Sequence, residues 1–193
     1  KTTINDTNNR VSVDFKVAVS TVNNPPVITV PANPSALEDI RSAITGISFT
    51  DPDAFNSTNN TLTLSVDTGR LYFANSGNSV PGGASVTDGV VGSGTVTLTG
   101  TKTQLDSALA ALRYLSTQDN NGTTASATDA TLTVTVNDGG NTGSGTGTDS
   151  KTVNIQINPV NDAPTVAVGS GTVVLTPGAS SSIIGIAVTD KDI

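Results

Sequence analysis

The sequence predicts an all-β sandwich carrying one short helical insert, and three features of the chain predict it. Thr, Ser, Gly, Asn and Val dominate, while aromatic residues make up only 3% and Trp and Met are absent. That composition favours short strands and turns over helices. Apolar residues fall on alternate positions within runs bounded by Gly, Asn, Asp or Ser, the pattern of half-buried strands. Finally, two segments recur at a spacing of about 139 residues. Val22-Asn23-Asn24-Pro25-Pro26 answers Val160-Asn161-Asp162-Ala163-Pro164, and Gly46 to Asp53 answers Gly185 to Asp192.

Taken in order, Val11, Val13, Phe15, Val17 and Val19 define a first alternating strand. Further strands are expected around Leu62-Leu64-Val66, Leu71-Phe73, Val96-Leu98, Leu132-Val134-Val136 and Val153-Ile155-Ile157. Asn137-Asp138-Gly139-Gly140 ends one of these in a turn, and Gly143 to Gly147 reads as a flexible tip leading into the next strand. One stretch breaks the alternation: Leu105, Ala108, Leu109 and Leu112 recur at helical spacing after Thr101 and Thr103, either of which can cap the helix. Two to three amphipathic turns are expected there, closing the core.

The recurring linkers divide the chain. Residues 1–24 are expected to be the C-terminal hairpin of a preceding repeat, 25–162 a complete β-sandwich repeat, and 163–193 the N-terminal strands of a following one. Neither outer piece carries enough strands to bury two sheet faces, so each is expected to need neighbouring chain or another molecule.

Composition also narrows function. Cys and His are both absent, which removes thiol chemistry, disulfides and Ser-His or Cys-His nucleophilic catalysis. No catalytic residues are assigned, and the chain is not expected to be an enzyme. Nine basic residues lie scattered among sixteen acids, for a net charge of -7, so no positive patch gathers for nucleic acid or an anionic membrane. No apolar run reaches the length of a membrane span, so direct membrane insertion is not expected. Lys1 does not open a signal peptide, and export signals are expected outside this segment. Asp67, Asp88, Asp106 and Asp149 read as turn residues.

The acids that stand out are those beside the recurring linkers. Glu38 is the sole Glu, in Ala36-Leu37-Glu38-Asp39, and Asp51-Pro52-Asp53 returns as Asp190-Lys191-Asp192. Carboxylates and side-chain amides together are the hard oxygen ligands that calcium prefers. The run from Leu37-Glu38-Asp39 through Asp51-Pro52-Asp53 resembles the opening of a cadherin repeat. Asn60, Asp138 and the Asn158-Pro159-Val160-Asn161-Asp162-Ala163-Pro164 linker fall where such repeats place further ligands. With the helical insert followed by Leu112-Arg113-Tyr114, the whole chain resembles the cadherin-like tandem repeats of large bacterial (RTX-type) surface adhesins.

That resemblance implies a Greek-key, cadherin/immunoglobulin-like topology, Ca2+ as the bound ion, and an extracellular, cell-surface setting. It places Asp51, Asp53, Asn60 and Asp138 with linker Asn24 at the upstream pole, and Glu38, Asn158, Asn161 and Asp162 with Asp190 and Asp192 downstream. Asn158, Asn161, Asn23 and Asn24 stand where that family carries more acids, so fewer ions per junction are expected. The function implied is a calcium-stiffened extracellular spacer repeat supporting cell adhesion or biofilm formation, its partners being adjacent repeats of the same chain. A repeat that associates with other copies of itself in a filament, sheath or surface layer is the alternative. A calcium-dependent carbohydrate-binding sandwich is disfavoured by the lack of Trp, since Tyr72 and Tyr114 are the only Tyr available to stack on a sugar ring.

Overall fold

The alternating runs form strands because every second side chain can be buried while its neighbours stay wet. This is clearest in β5 (Asn60–Val66) and β10 (Ala130–Asn137), where buried and half-exposed residues alternate without a break. The structure, a computed structural model, describes residues 16–18, 21–53, 57–74, 77–117, 130–140, 145–169, 174, 176–180 and 185–190. Most of the expected Val11–Val19 strand, all of Asp192 and part of the Gly143–Gly147 tip lie outside those residues. Lys16–Ala18, which are described, carry no strand assignment.

The fold is mostly β with one short helix, consistent with an all-β sandwich. In chain order, β1 (Val27–Thr29), β2 (Ser35–Leu37), β3 (Ser42–Ala43) and β4 (Ser48–Thr50) precede β5, and β6 (Arg70–Tyr72), β7 (Ser85–Gly89) and β8 (Thr95–Gly100) follow it. Helix α1 (Lys102–Ala110) and β9 (Arg113–Leu115) lead to β10, β11 (Thr148–Asn158), β12 (Thr165–Val168) and β13 (Ile186–Thr189). Six strands join in the order β2-β11-β10-β5-β8-β7, antiparallel except where β2 runs parallel to the end of β11. A bulge between Val86 and Asp88 disrupts the outermost ladder, which discourages edge-to-edge pairing. The smaller sheets are β1-β4, β3-β9-β6 and β12-β13.

One core serves the six-stranded sheet and the first two small sheets. Leu62, Leu64, Val96, Leu98, Leu132, Val134, Ile155 and Ile157 meet Ile28, Ile44, Phe49, Leu71 and Tyr114 there. Each fully buried Leu, Ile or Phe contributes about 1.5–3 kcal/mol of hydrophobic stabilisation. On the opposite face of the large sheet, uncharged hydroxyls bond across strands, as in Thr63 with Thr97 at 3.1 Å and Thr135 with Ser150 at 2.9 Å.

Helix α1 starts as its sequence requires. Thr101 is the N-cap: its hydroxyl accepts from the Gln104 N–H, and the Gln104 side chain accepts from the Thr101 N–H in a capping box. Leu105, Ala108 and Leu109 turn inward against the core, with Leu112 just beyond the helix. The helix touches β8 and β4.

The recurrence seen in sequence has a geometric counterpart. In β1-β4 the partners are Val27 with Thr50, Ile28 with Phe49, and Thr29 with Ser48. In β12-β13 the partners are Thr165 with Thr189, Val166 with Val188, and Ala167 with Ala187. The same alignment that matches the linkers therefore matches the strand registers. Gly46 and Gly185, which precede β4 and β13, both sit at φ +87°, a conformation that side chains rarely adopt.

Candidate functional site

Two polar clusters occupy the linkers on either side of residues 25–162. The upstream one forms because Pro25 and Pro26 hold the linker extended as it enters β1, placing Asn23 and Asn24 beside the β10–β11 turn and the end of β4. Asn24 donates both its main-chain N–H and its side-chain amide to Asp53 Oδ2, at 2.6 and 2.9 Å. Asp51 Oδ1 accepts the Asp53 N–H at 2.9 Å, an Asx turn that fixes the two carboxylates relative to each other. Asn23 Nδ2 donates to Asp138 Oδ2 at 2.7 Å.

Asp138 is fully buried. Its Oδ1 accepts the N–H groups of Gly140 and Gly147, both at 2.8 Å. Burial pushes its carboxyl pKa up, but those N–H groups and the Asn23 amide outweigh burial and hold it below the usual value. Gly147 is where the chain closes around this carboxylate. A methyl group there would lie 2.5 Å from both Asp138 Oδ2 and Pro25 Cα, so Gly147 is a close-approach residue as well as part of a loop. Asn60 is fully buried at the start of β5, with its amide donating to the carbonyls of Ser57 and Gly100.

Downstream, Glu38 follows β2 and is fully buried. The parallel pairing of β2 with β11 brings it to the linker, where its N–H donates to the Asn158 carbonyl at 3.1 Å. Glu38 Oε1 accepts the Val160 N–H at 2.8 Å, whereas Oε2 is buried with no hydrogen-bond partner. Asn161 donates its amide to the Asp162 carbonyl at 3.0 Å. The structure thus joins Asn24 with Asp51 and Asp53, and Glu38 with Asn158 and the linker main chain. Asp190 closes β13, and Asp192 lies outside the described residues.

An unpartnered buried carboxylate oxygen costs more than the roughly 1–3 kcal/mol of an unsatisfied neutral group. Glu38 Oε2 is one such atom, and Asn23 Oδ1 is a buried, unpartnered amide oxygen at the other linker. Both are buried oxygens, the donor type that a hard cation takes. Among the described residues, however, no group of three or more Asp, Glu, His or Cys side chains lies close enough to hold a metal. A cation here would therefore depend on amide and main-chain oxygens beside one or two carboxylates.

Two participants escaped the sequence reading. Asn23 was legible in principle, since it aligns with Asn161 in the matching linker, and Asn161 was singled out. Asp149, read as a turn residue, instead accepts the Ile28 N–H at 2.8 Å and so ties β11 to β1. That N–H is the main reason its carboxyl is held below the usual value; burial opposes it, while the Ser150 N–H and the Lys151 ammonium assist. Asp88 and Asp106 do serve local structure, Asp88 accepting the Gly89 N–H and Asp106 pairing with Lys102 one helical turn away, whereas Asp67 accepts the N–H of Thr131, 64 residues on.

Compared with known proteins, the chain matches no protein-family model and shows no significant match to a curated protein.

Proposed function

We propose that this chain is a calcium-stiffened spacer from a large extracellular surface protein, built of tandem Greek-key sandwich repeats with residues 25–162 as one complete unit. The observation that carries this reading is the pair of unpartnered buried oxygens, Glu38 Oε2 and Asn23 Oδ1, one at each linker. When bound, Ca2+ would supply the positive charge that these oxygens and the neighbouring carboxylates lack. Glu38, Asn158, Asn161, Asp162, Asp190 and Asp192 would hold it downstream; Asn23, Asn24, Asp51, Asp53, Asn60 and Asp138 would hold it upstream.

The chain's own residues set what the ion does mechanically. Asn24 and Asn23 already fasten the upstream linker to Asp53 and Asp138. Glu38 and the Val160 N–H fasten the downstream linker to β2. Each linker is thus bound to a rigid sheet end, and a shared cation would remove the remaining freedom of the joint. Ten- to hundred-fold excess calcium over its dissociation constant contributes about 1.4–2.7 kcal/mol per site, enough to bias a hinge. A domain that only spaces others needs no catalytic cleft, in keeping with a chain free of His and Cys.

Small-angle scattering with calcium and with chelator tests the proposal. An extended profile in calcium that becomes more compact and bendable in chelator is expected. Identical profiles, with no calcium uptake by calorimetry, would overturn it. The alternative, self-association into a filament or surface layer, draws support from the apolar face of β12-β13, where Val166, Val168, Ile186 and Val188 are exposed. Sedimentation in calcium distinguishes the two, since a monomer at every concentration excludes self-association.

A further inference from the structure

Asp is followed by Gly twice in the chain, at Asp88-Gly89 and Asp138-Gly139, and the fold treats the two pairs in opposite ways. Asp88 lies near the end of β7, the outermost strand of the large sheet, in a segment exposed along its whole length. Its own Oδ1 accepts the Gly89 N–H at 2.9 Å, so the carboxyl group is folded back onto the next main-chain nitrogen. Gly89 has φ +72°, and a methyl group there would collide with the Thr95 carbonyl. The position is therefore closed to any side chain that would shield that nitrogen. The Asp138 carboxyl is instead held on both oxygens, by the Gly140 and Gly147 N–H groups and by the Asn23 amide. The Gly139 N–H is drawn away to Asn137 Oδ1 at 2.8 Å. Asp149 also accepts the N–H of its successor, Ser150, at 2.8 Å. There, however, the successor carries a side chain and pairs with Thr135 inside the sheet, and Asp149 Oδ2 is tied to the Ile28 N–H.

We infer that Asp88-Gly89 is a site of spontaneous isoaspartate formation, and that the change unfastens β7 from the sheet. The Gly89 nitrogen attacks Asp88 Cγ, and its proton leaves with the hydroxyl of the protonated carboxyl as water, closing a five-membered succinimide. Water then adds to the former main-chain carbonyl of Asp88 and breaks its bond to the Gly89 nitrogen. The chain now runs through Cβ and Cγ, and the old main-chain carbonyl becomes a free carboxylate. One water leaves and one returns, so no other reactant is needed. The extra methylene lengthens the strand where Asp88 pairs with Thr97 and Gly89 with Val96, directly after the bulge between Val86 and Asp88. Only Ser85 with Thr99 and Val86 with Leu98 then remain in register. Beneath β7 lies β8, Thr95–Gly100, an alternating run without charge or proline. Losing its cover turns β8 into an open strand edge of the kind that pairs with other chains.

The test holds the full chain for weeks at physiological temperature, in chelator so that no metal shields Asp138, and digests it with trypsin. The peptide from Leu71 to Lys102 has Asp88 as its only acid, so isoaspartate separated from that peptide by chromatography is assigned to one residue. Isoaspartate at Asp88 is expected to exceed that at Asp138 and at Asp149 several-fold. Asp88→Glu should abolish it, because the longer side chain closes a ring far less readily. Asp88→Asn should speed it, because an amide loses ammonia more readily than an acid loses water. In the purified aged chain the amides of Ser85–Gly89 should lose protection from hydrogen exchange, while those of β5 and β10 keep theirs. No isoaspartate at Asp88, or equal amounts at the three acids, would overturn the inference. So would an aged, isomerised chain whose β7 amides exchange as slowly as before.

Discussion

The strand pairs β1-β4 and β12-β13 share a register, an approach glycine at φ +87° and an alternating apolar face. Yet Ile28 and Phe49 are 5% and 2% exposed, while Val166 and Val188 are 63% and 66% exposed. Backbone pairing is therefore local information that both segments carry, whereas burial is a property of what lies across the sheet. A ribbon of two strands is marginal by itself, so the two copies should respond very differently to the same chemical change.

The largest contrast comes from matched truncations. Phe49→Ala is expected to cost about 3–5 kcal/mol in denaturant unfolding. Val188→Ala, at the equivalent place, should stay within about 0.5 kcal/mol. Equal costs would mean that β12-β13 already shares the core, breaking the comparison.

The linkers give the next contrast. Saturating calcium should stabilise the chain by about 1.4–2.7 kcal/mol per occupied site. Glu38→Gln should remove the downstream share while leaving the upstream share to Asp51, Asp53 and Asp138. Calorimetric titration of both proteins reads this as a lost site, and an unchanged stoichiometry would exclude Glu38 from any cation site.

Asp149 fastens β1 to β11 through the Ile28 N–H. Asp149→Ala should cost about 1 kcal/mol at neutral pH through loss of the bond to the Ile28 N–H. The sign of its pH dependence follows from a folded-state pKa below the unfolded value. The stabilisation is complete above the unfolded value near 4 and disappears as pH falls through the lower folded one. Wild type and variant should therefore converge in stability on acidification below the ordinary carboxylate range. A gap that persists in acid would show that packing, not charge, sets the cost.

A contrast of about the same size as that of Asp149 is expected at Gly46, and almost none at Gly185. A side chain at φ +87° is strained at both Gly46 and Gly185, on the order of 1 kcal/mol or more. At Gly46 a methyl group would also press on Pro31 Cβ at 3.2 Å, whereas at Gly185 its nearest neighbour is Gly169 Cα at 3.4 Å. Gly46→Ala should lower the unfolding midpoint of the core. Gly185→Ala should leave that midpoint unchanged and speed only hydrogen exchange in β12-β13.

Much of the fold was legible in the sequence wherever a local rule decided it. Alternation located β5, β8, β10 and β11; helical spacing and Thr101 located α1 and its cap. The short strands β1 to β4 and β9 were not readable as separate elements, because two or three residues carry too little periodicity and their pairing is nonlocal. Sequence matching placed Asn24 and Glu38 at linkers. It could not show that Asn23, not Asn24, faces Asp138, because neighbouring amides are alike in chemistry and differ only in direction. Asp149 was misread for a related reason: its partner, the Ile28 N–H, lies 121 residues away, and no local pattern reveals it.

By itself, then, the sequence determined the long alternating strands and the helix, that two short sequence segments recur, and that carboxylates and side-chain amides concentrate beside them. These follow from side-chain chemistry and short-range periodicity. Tertiary structure alone decided which apolar face is covered, which glycine must stay bare beside Pro25, and which oxygens are left buried without a donor. Those outcomes depend on distances between segments far apart in the chain, where close packing fixes what a residue meets.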